Sequence, residues 1–271
     1  MSDQHLENYL RLIVQVLPTT ITNLDKTIDN REKHFSNLTV KQREDMLGSS
    51  FFFSSNQLRA IADALHTISS LSHISNGSLQ VTVTQNGVAG LLREALEAVA
   101  TYLWLNDYES EGVAKAKAHS YLVIDLQERL NYYKDMGDAE NSAKSDGWLN
   151  EANQLGLTYG FTHEETNKNG VLFLKPTHSM LAITDLIEKI KAPPTVITTG
   201  VLKQYPGMEN SKWLYRWSSG LSHGKHWVTN FRTLEDGSKR TGPNYLNLFL
   251  LLFTITQELE KIFDKNIEDN G

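Results

Sequence analysis

Apolar residues recur every three or four positions along most of the chain, which is the spacing of one face of an α-helix. The clearest examples lie within residues 6–17, 58–68, 92–103 and 181–190. The stretch that begins at Tyr245 is apolar on nearly all sides as far as Ile255, so we expect it to be the central buried helix. The pattern predicts an all-α protein, a mostly helical bundle.

A few stretches depart from this spacing. Asn169-Gly170 is followed by an apolar run, which predicts a small β-hairpin insertion near residues 159–175. Alternating apolar residues after Ser72 indicate a brief extended segment, and the polar residues from Gly137 to Ser145 indicate a loop.

Ser54-Ser55 are good N-cap residues, so we expect a helix to begin there.

No internal repeat and no linker divides the sequence. A chain of 271 residues is long enough for one large domain or two small ones, and easily buries a core. We predict a single helical domain over residues 1–271, with the N-terminal helices of residues 3–71 packed on the rest.

Composition narrows the range of functions. The chain has no cysteine, which excludes disulfides, thiolate metal sites and a cysteine nucleophile. Its formal charge of −6 argues against broad nucleic-acid binding but leaves room for a local basic site. The N-terminus lacks the basic region of a secretory signal, and the most apolar run is about half the length that spans a bilayer. We therefore expect a cytoplasmic protein without a membrane partner.

The stretch Trp213–Trp227, which reads WLYRWSSGLSHGKHW, concentrates polar and ionisable groups as no other stretch does. Its fifteen residues include three tryptophans, one arginine, one lysine, two histidines, three serines and two glycines. If the stretch is helical, Arg216 and His223 lie seven residues apart and share a face with Ser219. The helical rise separates Arg216 from His223 by roughly 10 Å along the axis, so both could reach one phosphate group.

These residue types suit the cleavage of RNA. Arginine binds a phosphodiester through two parallel N–H bonds, and histidine titrates near neutrality and serves as a general acid or base. Arg216 and His223 are therefore the candidate catalytic residues. The candidate substrate-binding residues are Ser219, Ser222, Lys225 and His226. The same groups would equally bind RNA or a nucleotide without chemistry.

A packing interpretation competes with this functional one. Gly220 and Gly224 are four residues apart and would form a groove that lets another helix approach closely, with the tryptophans packed beside it. Under this interpretation Arg216 pairs with a core carboxylate such as Glu94 or Glu97.

No metal site and no cofactor are expected. His223 and His226 are three residues apart, but no third ligand stands at a telling spacing. The sequence also lacks a phosphate-binding glycine loop, a nucleophile elbow and a dinucleotide fingerprint.

An arginine followed by six residues and a histidine, late in a helical chain and before a final helix, resembles the HEPN superfamily. The core-helix sequence LLREALEAVATYLWL with the later YRWSSGLSHG is also similar to uncharacterised bacterial helical families near that superfamily. The resemblance covers roughly residues 90–264. It implies a helical bundle that forms a homodimer with the motif at the interface.

In catalytic members the resemblance further implies a metal-independent endoribonuclease, often a toxin or an antiphage defence effector. Carried over to this chain, Arg216 holds the scissile phosphate and His223 performs the proton transfers. Catalytic members usually have a polar residue directly after the arginine, where this chain has Trp217. The alternative function is a non-catalytic helical module that binds a small anion, a nucleotide or a protein partner, with Gly220 and Gly224 as a dimer seam.

Overall fold

The computed structural model describes residues 8–9, 11–41, 46–75, 78–81, 85–107, 110–158, 163–168, 171–176, 183–191, 210–222, 231–233, 239–241 and 245–268. Within these ranges the protein is mostly α-helical, and helices supply the buried apolar side chains. No helix of the described part is long and apolar enough to cross a membrane.

Eight α-helices account for most of the described residues. A π-helical turn, Leu12–Val16, leads into α1 (Leu17–Asn37), which is followed by α2 (Met46–Leu71), α3 (Gln85–Asn106), α4 (Glu111–Asp135), α5 (Ala139–Thr158), α6 (Ile183–Glu188), α7 (Lys212–Ser222) and α8 (Tyr245–Glu268). Antiparallel strand pairs are formed by β1 (Ser72–Ser75) with β2 (Ser78–Val81), β3 (His163–Lys168) with β4 (Val171–Pro176), and β5 (Phe231–Thr233) with β6 (Lys239–Thr241). In the β3–β4 pair, Lys168 lies opposite Val171.

The chain divides into two compact units. Unit 1 contains Met1–Lys33, Ser55–Tyr102 and Ala182–Gly271, and unit 2 contains His34–Ser54 and Leu103–Leu181. Helices α1, α2 and α3 each contribute residues to both units. The single domain over residues 1–271 stays a prediction.

Helix α8 is buried on nearly all sides within unit 1. Its buried side chains are Leu248, Leu250, Leu251, Leu252, Ile255, Leu259 and Ile262. Thr254 and Thr256 are also buried, and their hydroxyls donate to backbone oxygens of the same helix at 2.8 and 2.9 Å. The continuous apolar run from Tyr245 therefore forms the buried helix that its pattern predicts.

Unit 2 is built on the pairing of α4 with α5. Val123 and Leu126 of α4 pack against Ala152 of α5, and all three are buried. His119 is fully buried in the same unit, and its Nε2 donates to the carbonyl oxygen of Ala152 at 2.8 Å. This bond compensates for burying a polar ring between two helices.

A tight turn joins α4 to α5, so the loop expected from Gly137 to Ser145 is wrong. Gly137 adopts a φ of 70°, and the N–H of Asp138 bonds to the carbonyl of Tyr133 at 3.0 Å, which together close a Schellman motif. Asp138 then caps α5 by accepting from the backbone N–H of Asn141 at 3.0 Å, and this bond holds the pKa of Asp138 below its usual range. Local capping overrides the polar composition of the segment.

Lys117 caps the C-terminus of α3 with its ammonium group. Its Nζ donates to the carbonyl oxygens of Trp104, at 2.9 Å, and Asp107. We expect Lys117→Met to lower the free energy of unfolding by about 1–2 kcal/mol, because the last carbonyls of α3 lose a charged donor. Urea denaturation measures this, with Lys26→Met, at an exposed helical lysine, as the control. Equal stability of the two variants would contradict the capping role.

Candidate functional site

Helix α7 carries Arg216 and is anchored at its first residue. The backbone N–H of Ser211 donates to the carbonyl of Ile190 at 2.9 Å, and the side chain of Asn210 accepts from the N–H of Lys212 at 3.1 Å. The Nζ of Lys212 lies 2.5 Å from a carboxylate oxygen of Glu188, in α6. These contacts tie the start of α7 to the end of α6.

The two sides of α7 differ in burial. Leu214, Trp217 and Leu221 recur at helical spacing and are buried in unit 1, where α7 packs against α6 and α8. Arg216 is exposed and Ser219, one turn further on, is half-buried. The amphipathic spacing thus presents Arg216 and Ser219 on the outer face of α7.

Arg216 makes no salt bridge with any residue in the described ranges. The packing interpretation expected it to pair with Glu94 or Glu97, and this is wrong for the residues described. Glu97 instead lies 3.5 Å from the Nε of Arg93, one turn away on α3, and is near enough to the Tyr215 hydroxyl to raise its pKa. Tyr215 and Arg216 point about 100° apart on the helix, so only the tyrosine reaches α3.

Tyr215, Glu97 and Arg93 form a half-buried polar cluster beside Arg216. Partial burial raises the pKa of Tyr215, the charge of Glu97 raises it further, and Arg93 opposes the shift. Sequence spacing predicted the Arg93–Glu97 pair, but Tyr215 was missed because it lies 118 positions after Glu97. Together with the buried face of α7, the interaction of Tyr215 with Glu97 is consistent with an outward direction for Arg216.

The raised pKa of Tyr215 predicts a loss of stability in alkali. A group whose pKa is higher in the folded than in the unfolded protein stabilises the fold below its ordinary pKa, near 10 for tyrosine, and this contribution is lost as the pH rises through the folded value. We expect the free energy of unfolding of the wild type to fall more steeply above about pH 10 than that of Tyr215→Phe. Urea denaturation at several pH values measures the slopes, with Tyr132→Phe as the exposed control. Parallel curves for the wild type and Tyr215→Phe would contradict the assignment.

The remaining predicted site residues are only partly described. Ser222 is the last residue of α7, and its side chain lies outside the described part, as do His223, Lys225 and His226 entirely. Ser219 is the one predicted substrate-binding residue whose side chain is described, and it shares the outer face with Arg216. Among the residues described, no group of three histidine, aspartate or glutamate side chains is placed to hold a metal ion.

Trp217 belongs to the core. Its side chain is 6% exposed, so the position directly after Arg216 points inward. Its indole Nε1, like that of Trp213, is buried without a hydrogen-bond partner in the described part of the chain. Gly220 is also buried, as expected for a helix that packs closely inside unit 1.

Comparison with protein-family models, with curated proteins and with solved structures finds no match for the chain.

Proposed function

We propose that the protein is a HEPN-like endoribonuclease that cleaves RNA without a metal ion and acts as a cytoplasmic toxin or antiphage defence effector. The observation that carries the proposal is Arg216, which is exposed on the outer face of α7 and has no carboxylate partner in the described part of the chain. Two other arginines of unit 1, by contrast, lie beside carboxylates. Arg59 lies 2.6 Å from Glu32, and Arg93 lies 3.5 Å from Glu97.

An exposed, uncompensated guanidinium on a helix that is fixed on two sides suits an anion. Its planar fork accepts two oxygens of one phosphodiester, and its charge persists at every physiological pH. The contacts of Lys212 and Tyr215 hold α7, so the backbone of Arg216 is positioned before a ligand arrives. This supports Arg216 as the phosphate-binding residue.

The proposed reaction is transesterification within the RNA. His223 removes the proton from the 2′-hydroxyl, whose oxygen attacks the adjacent phosphorus, and the bond from phosphorus to the 5′-oxygen breaks. The leaving 5′-oxygen takes a proton from a protonated histidine or from water, and a 2′,3′-cyclic phosphate remains. Arg216 stabilises the extra negative charge on the phosphoryl oxygens. Ser219, Ser222, Lys225 and His226 would bind the flanking RNA, and a homodimer would place two such faces together.

A second candidate function is binding without catalysis. It is favoured by Trp217, because the buried indole leaves no polar side chain at the position after Arg216. In that case Arg216 would hold a small anion, a nucleotide or an acidic group of a protein partner, and His223 would have no role in proton transfer.

Induced expression in a bacterial host tests the proposal. Wild type, Arg216→Ala and His223→Ala are expressed to equal levels, and growth and total RNA are followed. The ribonuclease proposal expects growth arrest and RNA fragments with the wild type alone. Arg11→Ala, at an exposed arginine, and His66→Ala, at an exposed histidine paired with Asp25, are the matched controls and should behave as wild type.

Harmless expression of soluble wild type with intact RNA would reject the ribonuclease and leave the binding function. Toxicity that persists in both Arg216→Ala and His223→Ala would reject this site, whatever its cause.

A further inference from the structure

Unit 2 presents a cluster of exposed aromatic side chains on the last turns of α4 and the middle of α5. Trp148 is 42% exposed and Tyr132 is 58% exposed, and Met136, one turn after Tyr132, is 65% exposed. Single exposed apolar residues are ordinary on a protein surface, but a contiguous group marks an interaction site. We call Arg129, Tyr132, Tyr133, Met136 and Trp148 the Trp148 cluster.

Four members of the Trp148 cluster, Arg129, Tyr132, Tyr133 and Trp148, contact one another. The guanidinium of Arg129 lies 4.7 Å from the ring centre of Trp148 and 5.8 Å from that of Tyr133. The rings of Tyr132 and Tyr133 lie 5.4 Å apart at 65°, which is an edge-to-face contact. Contacts of this kind restrict the rotamers of the side chains, which lowers the conformational entropy that a ligand would cost on binding.

The residue types are those on which protein interfaces depend. Tryptophan, tyrosine and arginine are enriched among the residues that dominate binding energy, and methionine is enriched in interface cores. Tyr132 and Trp148 are not needed to fill the core of unit 2. Val123, Leu126 and Ala152 already fill the contact between α4 and α5. The cluster therefore favours a second molecule as its cover.

Charge around the cluster specifies the kind of partner. Residues 125–158 contain seven carboxylates and three basic side chains. Asp125 lies one turn before Arg129, Glu128 one turn before Tyr132, and Glu151 one turn after Trp148. These three are exposed, and none forms a salt bridge with another residue of the described part. Carboxylates therefore outnumber basic side chains around the patch, and the guanidinium of Arg129, its one cation, lies over the ring of Trp148.

We propose that the Trp148 cluster is a docking surface for a segment of a second protein that carries lysine or arginine beside a large apolar residue. The apolar residue would cover Trp148 and Tyr132, and the basic residues would pair with Asp125, Glu128 and Glu151. RNA is disfavoured because its phosphates would face these carboxylates. A second copy of the chain is disfavoured because a two-fold contact would bring the same acidic surfaces together.

The proposal does not rest on the proposed ribonuclease activity, whose described residues lie in unit 1. The two can therefore fail separately.

Peptide display on the full chain tests the docking surface. A library of random twelve-residue peptides is selected on wild type and, in parallel, on the Trp148→Ala/Tyr132→Ala double variant, with circular dichroism as the check of folding. We expect wild type alone to enrich peptides that have a net positive charge and a large apolar residue. Enrichment of acidic or neutral peptides, equal enrichment on the double variant, or no enrichment at all would overturn the proposal.

Single variants then locate the contact with the most enriched peptide, by fluorescence anisotropy. Trp148→Ala should weaken binding about tenfold. Leu157→Ala should not, because that exposed residue lies nine positions later, on the opposite side of α5.

Charge variants test the role of the carboxylates. Asp125→Asn, Glu128→Gln and Glu151→Gln together should weaken binding about fivefold at low salt. Asp29→Asn, Asp63→Asn and Glu260→Gln, at exposed carboxylates of unit 1, should leave it unchanged. If the two sets act alike, or if a single-stranded RNA probe binds and depends on Trp148, the basic-partner proposal is wrong.

Discussion

Arg216→Ala should lower the rate of RNA cleavage on the order of 100- to 1000-fold, the loss typical when one positioned charge donor is removed from a transition state. The fold should be unaffected, because the side chain is exposed and makes no salt bridge in the described part of the chain. Cleavage of a fluorescent RNA at saturating and limiting concentrations separates kcat from KM, and urea denaturation measures stability.

Two further variants refine this result. Arg216→Lys keeps the charge but loses the planar fork, so its activity should fall between those of wild type and Arg216→Ala. His223→Ala should lower kcat by a factor on the order of 100 to 10,000 if the imidazole transfers protons. Arg11→Ala is the matched control for a lost exposed arginine. Unchanged activity in Arg216→Ala would remove this residue from the site.

Trp217→Ser should destabilise the protein by about 3–5 kcal/mol, even though it introduces the polar residue that catalytic HEPN members usually have after their arginine. Trp217 is 6% exposed and packs in unit 1 with Leu214 and Leu221, so serine would leave a cavity and bury a hydroxyl. A gain of activity without loss of stability would mean that position 217 faces the substrate. The free energy of unfolding, measured in urea, decides between these outcomes.

Trp217→Phe is the conservative partner of this experiment. It keeps most of the apolar volume and removes an indole N–H that has no acceptor in the described ranges, so we expect a loss below about 1.5 kcal/mol. Trp148→Ala removes a tryptophan that is 42% exposed and should destabilise the protein less than Trp217→Ser, by about 1–2 kcal/mol.

The sequence predicted correctly the features that depend only on residues close together in the chain. The apolar run that begins at Tyr245 forms buried helix α8, and the apolar face of α3 places Arg93 and Glu97 one turn apart as a pair. Prediction failed where tertiary contacts override local signals. Ser54-Ser55 were expected to start a helix, yet α2 begins at Met46 and both serines are buried within it.

The physical reason is that other groups, one of them distant in sequence, take up the serine hydroxyls that would otherwise act as caps. Ser55 Oγ accepts from the Nε of Arg31 at 3.1 Å, and Ser54 Oγ donates to the carbonyl of Phe51 at 3.0 Å. In the candidate site, too, local features were predictable and tertiary contacts were not. Helical spacing predicted that Arg216 and Ser219 share a face, whereas the partner of Glu97 depended on how α7 is rotated, which only packing determines.

The most direct test of the central claim is the chemistry of the RNA ends. A 5′-labelled RNA is incubated with purified wild type and with Arg216→Ala in excess EDTA, and the products are resolved beside a substrate with 2′-deoxyribose at the cleaved positions. The ribonuclease proposal predicts 2′,3′-cyclic phosphate ends from wild type only, and no cleavage of the deoxy substrate. Cleavage that EDTA abolishes, equal cleavage by Arg216→Ala, or RNA left intact by the wild type would contradict it.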